Sequence, residues 1–516
     1  MRIGIDVGGT HTDAVVLNGD DIIASTKALT SADVVSGITD ALDTLLHDAG
    51  ISSEQVQTVM IGTTQFTNAI VERRELSTLA AIRIGLPSGE GIPPMVAWPR
   101  DIVEAINGKT YMLHGGFLYN GWPVAELQTA EIDAMIKDLQ ANNIENVAIS
   151  AAFSPMNAAH EVSVAEKVKA AIPHARISLS HSFGRLGLME RENATIMNTA
   201  LLPFAERVVD SFLKALKNRA LNCPVYISQN DGTLMSSEFV RTYPALTFAS
   251  GPTNSLRGAY KLTGLEDAIV VDIGGTTSDI GVLQSGFPRE SNVVVNIGGV
   301  RTNFRMPDIM AIGLGGGSIV KDEGRTIGPQ SVGHRLVQEG LIFGGDTLTT
   351  TDILVAGGGA NIGDPRLVAD LPEQTVSNAQ ACMATMLDRG IEMMKPGGQG
   401  MPVILVGGGS ILVPGDLPAA SQVYRPENAG VANAIGAAIA QIGGEAEQMV
   451  SYRETPREDA IRLVTQAANK RAIDAGADRA TIRAVDIEET AIPYMDEGAT
   501  RVRVKVIGEL GSRAGA

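Results

Sequence analysis

Two stretches of the chain place the same chemistry-bearing residues at the same spacing. Residues 3–13 read IGIDVGGTHTD and residues 269–279 read IVVDIGGTTSD. Asp6 corresponds to Asp272, Gly8 and Gly9 to Gly274 and Gly275, Thr10 to Thr276 and Asp13 to Asp279, always 266 residues apart. Each copy is a short apolar run ending in an aspartate, a Gly-Gly-Thr turn and a returning apolar run. That pattern predicts a buried strand, a tight hairpin turn and a second strand. Glycine brings backbone N–H groups close together, and successive N–H groups aimed into one concavity hold an anion. The hydroxyls of Thr10, Thr12, Thr276 and Thr277 add donors, and a strand-end carboxylate can hold Mg²⁺ through water. Asp6 and Asp272 are therefore expected to organise Mg²⁺ and phosphate. Asp13 and Asp279 either orient water at that site or stiffen the turn. A lone Gly-Gly hairpin is an ordinary turn. Its duplication, with both aspartates and the threonine kept, predicts two similar halves facing one cleft.

Further candidates lie outside the hairpins. Gly62-Thr63-Thr64, followed by Asn68 and Arg73, reads as a loop entering a helix. It either contacts phosphate or substrate at the helix start, or is a threonine-capped helix with Arg73 facing solvent. Gly315-Gly316-Gly317-Ser318 and Gly407-Gly408-Gly409-Ser410 follow apolar strands. They are expected at the nucleotide, the alternative being tight connections at crowded packing points. Ser250-Gly251-Pro252 carries only a weak turn signal. The histidines show no spacing typical of a metal pair, and Cys223 and Cys382 lie far apart. A disulfide framework, an iron–sulfur cluster and a structural zinc site are therefore not expected.

The elements that must position these residues alternate between strand and helix. Apolar residues recur at helical spacing from Val34 to Leu46, ahead of Gly50, and a short strand covers Val59–Ile61. Thr129 begins a predicted helix, followed by a strand at Val147–Phe153, a helix near 158–172 and a strand at Ile177–Leu179. The stretch 193–221 has helical pattern but contains Pro203, so a kink or break is expected there. A helix over 456–475 and alternation in 501–506 close the chain. Such alternation predicts mixed α/β domains. With 516 residues, 44% hydrophobic and 19% charged, the chain is large enough for two or more domains. A formal net charge of −17 repels phosphate polymers, so nucleic acid is not an expected partner. No apolar run reaches the roughly 20 residues needed to cross a bilayer. The chain enters a strand pattern at Ile3, and a cytoplasmic location is expected.

These motifs, in this order, resemble the A subunit of the hydantoinase/oxoprolinase family over about residues 1–445. The resemblance rests on Asp6–Asp13, on Gly62–Arg73 (GTTQFTNAIVER), on Asp272–Asp279, on Gly313–Ile319 (GLGGGSI) with Gly328–Ser331, and on Val406–Ser410. It implies the actin/sugar-kinase/Hsp70 architecture: an N-terminal actin-like domain over 1–185, a second with nucleotide-binding turns over 186–450, and a small α+β cap over 451–516. It implies ATP and Mg²⁺ as cofactors, a cyclic amide substrate such as a hydantoin, 5-oxoproline or a lactam, phosphorylation of the amide oxygen, and a separate B-type subunit. An oligomeric assembly is expected. Residues Val332–Gly340 depart from the family pattern, which leaves the substrate open. Two other functions suit the same cleft: a small-molecule kinase, and a nucleotide switch that activates another protein.

Overall fold

The computed structural model describes residues 1–8, 11–29, 34–183, 187–291, 294–413, 415, 417–492 and 499–511. Gly9 and Thr10, expected at the first turn, lie outside the described residues.

Both copies of the repeated motif fold as the same unit. In the first, strand Arg2–Val7 pairs antiparallel with His11–Asn18 and parallel with Thr58–Thr63. In the second, Ala268–Ile273 pairs antiparallel with Ser278–Gln284 and parallel with Met401–Val406. The register is identical: Asp6 stands opposite Asp13, and Asp272 opposite Asp279. The apolar residues of these strands, among them Ile3, Ile5, Ile269 and Val271, are wholly buried. Full burial on both faces explains why the strands read as continuous apolar runs.

The first unit belongs to a nine-stranded sheet. Its order runs Arg483–Ala491, Ala499–Gly508, Ile442–Ser451, Leu234–Ser236, Val225–Ser228, Thr58–Thr63, Arg2–Val7, His11–Asn18, Asp21–Leu29. The second unit belongs to a six-stranded sheet that also contains Phe287–Pro288, Ile309–Ile312 and Ala420–Tyr424. A parallel four-stranded sheet (Ala80–Leu86, Lys109–His114, Asn146–Ala151, Arg176–Leu179) is inserted after the first. The expected α/β architecture of two hairpin-bearing halves is the one adopted. The expected divisions at 185 and 450 do not follow the sheets. Strands from 225–236 and 442–508 complete the first sheet, so residues 451–511 are not a cap of their own. Ile442–Ser451 pairs along its whole length with Ala499–Gly508, and helix Arg457–Asp474 covers both strands.

Three further features fix the frame. Helix Leu188–Lys217 runs unbroken through Pro203. Proline cannot donate to the carbonyl four residues earlier, and the Ser77 hydroxyl supplies that partner, reaching the carbonyls of Thr199 (3.5 Å) and Ala200 (3.0 Å). The inserted sheet is tied to the same helix by the buried pair Arg83–Glu192. Arg503 and Lys505, buried on the C-terminal strand, reach Glu290 beyond the second sheet's edge at 2.8 and 3.5 Å, which joins the two halves. Among the described residues, no helix is long and apolar enough to cross a membrane.

Candidate active site

The four repeated aspartates meet between the halves, at the ends of the two central strands. Asp6 and Asp13 are almost wholly buried, at 3% and 4% exposure, and Asp272 and Asp279 are partly buried. Like charges directly opposite one another on a sheet repel, so each pair needs an answer. In the first half it comes from Lys27, which the strand register places opposite Asp13. Its Nζ lies 2.6 and 2.8 Å from the two carboxylate oxygens. In the second half the residue facing Asp279 on the next strand is Ala311, which offers no charge.

Two helices bring polar groups across to the aspartates. The bridging helix, Ser250–Thr263, presents successive residues to both halves. Asn254 Nδ2 donates to Asp6 Oδ1 at 3.3 Å, and the Ser255 hydroxyl donates to Asp272 Oδ2. Asn433 Nδ2, on the crossing helix Ala432–Ile439, donates to Asp6 Oδ2 at 3.1 Å. The helices can cross this closely because each offers a glycine at the contact. A Cβ at Gly258 would fall 1.8 Å from the Ala432 carbonyl oxygen, and one at Gly436 would fall 1.9 Å from that of Asn254. The aspartates have matching clearances on the neighbouring parallel strands. A Cβ at Gly62 would come within 2.3 Å of Asp6 Oδ1, and one at Gly407 within 2.2 Å of Asp272 Oδ1.

Burial raises the affinity of all four carboxyls for protons, because the ionised form loses hydration. Asp6 is pushed up to about 7 by burial first, then by repulsion from Asp13 and Asp272, against the two amide hydrogen bonds. Asp279 also rises to about 7, through burial and the charge of Asp272. Asp13 and Asp272 are raised by burial too, with Lys27 opposing in both cases. Four carboxylates around one ammonium make a site short of positive charge. Asn254 Oδ1 is buried beside Asp6 with no hydrogen-bond partner among the described residues. A carboxylate-rich pocket with an unused amide oxygen is a donor set suited to a hard divalent cation and its water shell.

The backbone of the turns divides between structure and recognition. The Gly8 N–H donates to the His11 carbonyl (3.0 Å) and the Gly274 N–H to that of Thr277 (2.9 Å), so both first glycines close their hairpins instead of facing an anion. Among the described residues, the N–H groups of Gly275, Thr276 and Thr277 have no intramolecular acceptor, and both threonines are exposed. Three such successive groups form a nest for an anion.

The other expected residues separate in the same way. The N–H groups of Gly316 and Gly317 donate to the carbonyls of Gly274 and Gly275 at 3.0 and 2.7 Å. That of Gly315 donates to Ser318 Oγ, and that of Gly409 to the Ile273 carbonyl. These four glycines and Ser318 buttress the second hairpin, with their N–H groups spent inside the protein. Gly408 is exposed at the cleft, with Lys27 Nζ 4.0 Å from where its Cβ would stand. Thr12 is wholly buried within its strand. Thr63 is buried, and Thr64 sits beside the Val7 carbonyl at the strand end, near Asp6. Asn68 is exposed and donates to Thr64 Oγ1 at 3.5 Å. Arg73 lies at the far end of helix Gln65–Glu72, about 13–14 Å along its axis from Thr64. Its guanidinium is spent on Asp101 (2.9 Å) and the carbonyls of Ile70 and Gly298 (2.7 Å each), a structural tie between the helix end and two neighbouring segments.

Lys27, Asn254, Ser255 and Asn433 went unnoticed in the sequence. Lys27 alone left a trace: in a hairpin continuation a basic residue can fall opposite a motif aspartate. The other three arrive on helices more than 240 residues from Asp6 or adjacent to no motif, and no local pattern marks them.

The chain matches two descriptions of one family, the hydantoinase/oxoprolinase N-terminal region over residues 2–172 and hydantoinase/oxoprolinase over residues 191–362. It is 25% identical over 369 residues to the caprolactamase subunit alpha of Pseudomonas jessenii, covering 64% of this chain and 51% of that protein. It is 26% identical over 390 residues to the acetophenone carboxylase gamma subunit of Aromatoleum aromaticum, covering 68% and 52%. The chain thus spans about half the length of the curated relatives it matches. The solved ATP-dependent caprolactamase of Pseudomonas jessenii superposes with a TM-score of 0.76 at 18% identity, covering 99% of this chain and 88% of that one. A nucleotide-free acetone carboxylase gives 0.69 at 18% identity with the same coverage. At that identity the likeness is one of fold.

Proposed function

Because the chain belongs to the hydantoinase/oxoprolinase family, we propose that its cleft binds Mg·ATP and transfers the γ-phosphoryl group to the oxygen of a cyclic amide. The observation that carries this reading is the pair of superposable hairpins that turn four carboxylates and one lysine onto a single cleft. The caprolactamase relative and the solved ATP-dependent caprolactamase support the choice of an amide and of ATP.

A lactam carbonyl is a poor electrophile because the ring nitrogen donates into it. In the proposed reaction the amide oxygen attacks the γ-phosphorus, ADP departs, and the amide N–H gives up its proton, leaving an imidate phosphate. Water then adds to the carbon, the C–N bond opens as the nitrogen takes up a proton to leave an acyl phosphate, and a second water displaces phosphate from it to give the carboxylate. Mg²⁺, when bound, offsets the charge that builds on the phosphate oxygens. Asp6 and Asp272 are the residues to hold it, with Asn254 Oδ1 beside them. The free N–H groups of Gly275, Thr276 and Thr277 receive phosphate oxygens, and Lys27 places a positive charge between Asp13 and Gly408. Asp279, near 7, is suited to accept the amide proton at neutral pH. Thr63, Thr64 and Asn68 remain on the substrate side of the cleft. Relatives named as alpha and gamma subunits support a partner chain, taken as B-type, for ring opening.

The test is Mg²⁺-dependent ATP hydrolysis by the purified protein, measured against hydantoins, 5-oxoproline and simple lactams. Acetophenone with bicarbonate is added because of the carboxylase relative. Stimulation by a cyclic amide, lost in Asp272→Asn, supports the reading. Stimulation by the ketone alone moves the chain to carboxylation. ATP binding that no compound stimulates, with or without the partner, favours a nucleotide switch, and no ATP binding at all removes the proposal.

A further inference from the structure

A second concavity lies apart from the carboxylate cleft. It is a cavity of about 410 Å³ between helix Arg457–Asp474, strand Ile442–Ser451 and the segments around Phe183 and Asn230, and none of the four cleft aspartates lines it. Its volume falls within the roughly 300–1,000 Å³ of small-molecule sites.

The two walls differ in chemistry. One is aromatic: Phe183 stands edge-on to Tyr243 and Phe304, with ring centroids 5.8 and 6.2 Å apart. The other is ionic, and its acids are already answered. Arg305 pairs with Glu445 and with Glu447 (3.1 Å), Arg503 with Glu445 (3.0 Å), and Lys505 with Asp231 (2.9 Å). Its cations are not all answered. Arg471 gives one amino group to the Glu445 carbonyl at 2.8 Å, and Lys470 is exposed at the rim. Among the described residues neither has a carboxylate partner within ion-pair distance, and Asp474 at the rim is likewise unpaired.

We propose that this cavity binds a small organic carboxylate with an apolar or aromatic body. The body packs against Phe183, Tyr243 and Phe304, and the carboxylate meets the free edge of the Arg471 guanidinium with Lys470 beside it. Aromatic walls desolvate the ligand while the guanidinium fixes its orientation, which is the usual division of labour in such sites. Asn230 lines the cavity, and its Oδ1 accepts from the Ala249 N–H (2.7 Å) while its carbonyl accepts from the Thr253 hydroxyl (2.9 Å). It thereby holds the first turn of the bridging helix, whose next residues grip Asp6 and Asp272.

Three probes with the same body separate charge from hydrophobicity: 3-phenylpropionate, 3-phenylpropanol and 3-phenylpropylamine, titrated by ligand-observed NMR and calorimetry. The acid is expected to bind saturably and roughly tenfold or more tighter than the alcohol and the amine. Lys470→Gln with Arg471→Met, both on one helix surface, should remove that preference, whereas Asp272→Asn in the cleft should leave it intact. Equal binding of all three probes, binding that survives the double substitution, or no saturable binding of the acid at millimolar concentration overturns the proposal.

Discussion

Replacing Asp6 with asparagine keeps the shape of the side chain and deletes one buried negative charge. In the protein without metal, Asp6 titrates near 7, against an ordinary 3.8. Between those values the folded state holds a proton that the unfolded state has released, so this carboxyl makes stability fall as pH rises, until the folded group also ionises above 7. A gap of that size corresponds to about 4 kcal/mol at high pH, and roughly 2–3 kcal/mol of it develops between about pH 5 and 8.5. Asp6→Asn has nothing to ionise and should lose that part of the slope. The hydrogen bonds adapt at small cost, because Asn254 can turn its unpartnered Oδ1 toward the new amide. The assay is urea unfolding in EDTA across this pH range, repeated with saturating Mg·ATP. The wild type should lose stability toward alkaline pH in EDTA and recover it with Mg·ATP, while the variant should show a flatter profile and little recovery. An unchanged slope in Asp6→Asn would mean that Asp6 is not the buried, proton-holding carboxyl described here, and the cation-deficient site would fall with it.

Three other substitutions probe separate parts of the site. Gly407→Ala forces a side chain onto a backbone with φ +83°, 2.2 Å from Asp272 Oδ1. It should lower stability by about 1–3 kcal/mol and abolish nucleotide binding in calorimetry, and normal binding would show that Asp272 is dispensable. Lys27→Met leaves Asp13 buried without its cation. Its proton affinity should rise, and nucleotide turnover should fall while the circular dichroism spectrum is unchanged. Arg73→Gln cuts the ties to Asp101 and Gly298 and should cost about 1–2 kcal/mol of stability. Substrate KM should stay constant, and a raised KM would return Arg73 to the substrate site.

Local order along the chain was enough to determine the duplicated hairpins, the strand-ending aspartates and the alternation of strand and helix. Each of these depends on neighbours within a dozen residues: apolar runs that must be buried, glycines that must turn, and carboxylates that must end a strand. Which backbone N–H groups remain free was decided by tertiary packing. Gly316 and Gly317 are consumed as donors to the distant second hairpin, although both look alike in sequence to the open Gly275. Arg73 illustrates the same limit: its motif is intact, yet chain direction along an eight-residue helix carries it away from the cleft to Asp101 and Gly298. The membership of the first sheet was equally hidden, because strand pairing between residues 2–63, 225–236 and 442–508 is a contact between distant segments with no local signature. The electrostatics of the site were hidden for the same reason. Only folding buries Asp6, sets it against Asp13 and Asp272, and brings Asn254 and Asn433 to its two oxygens.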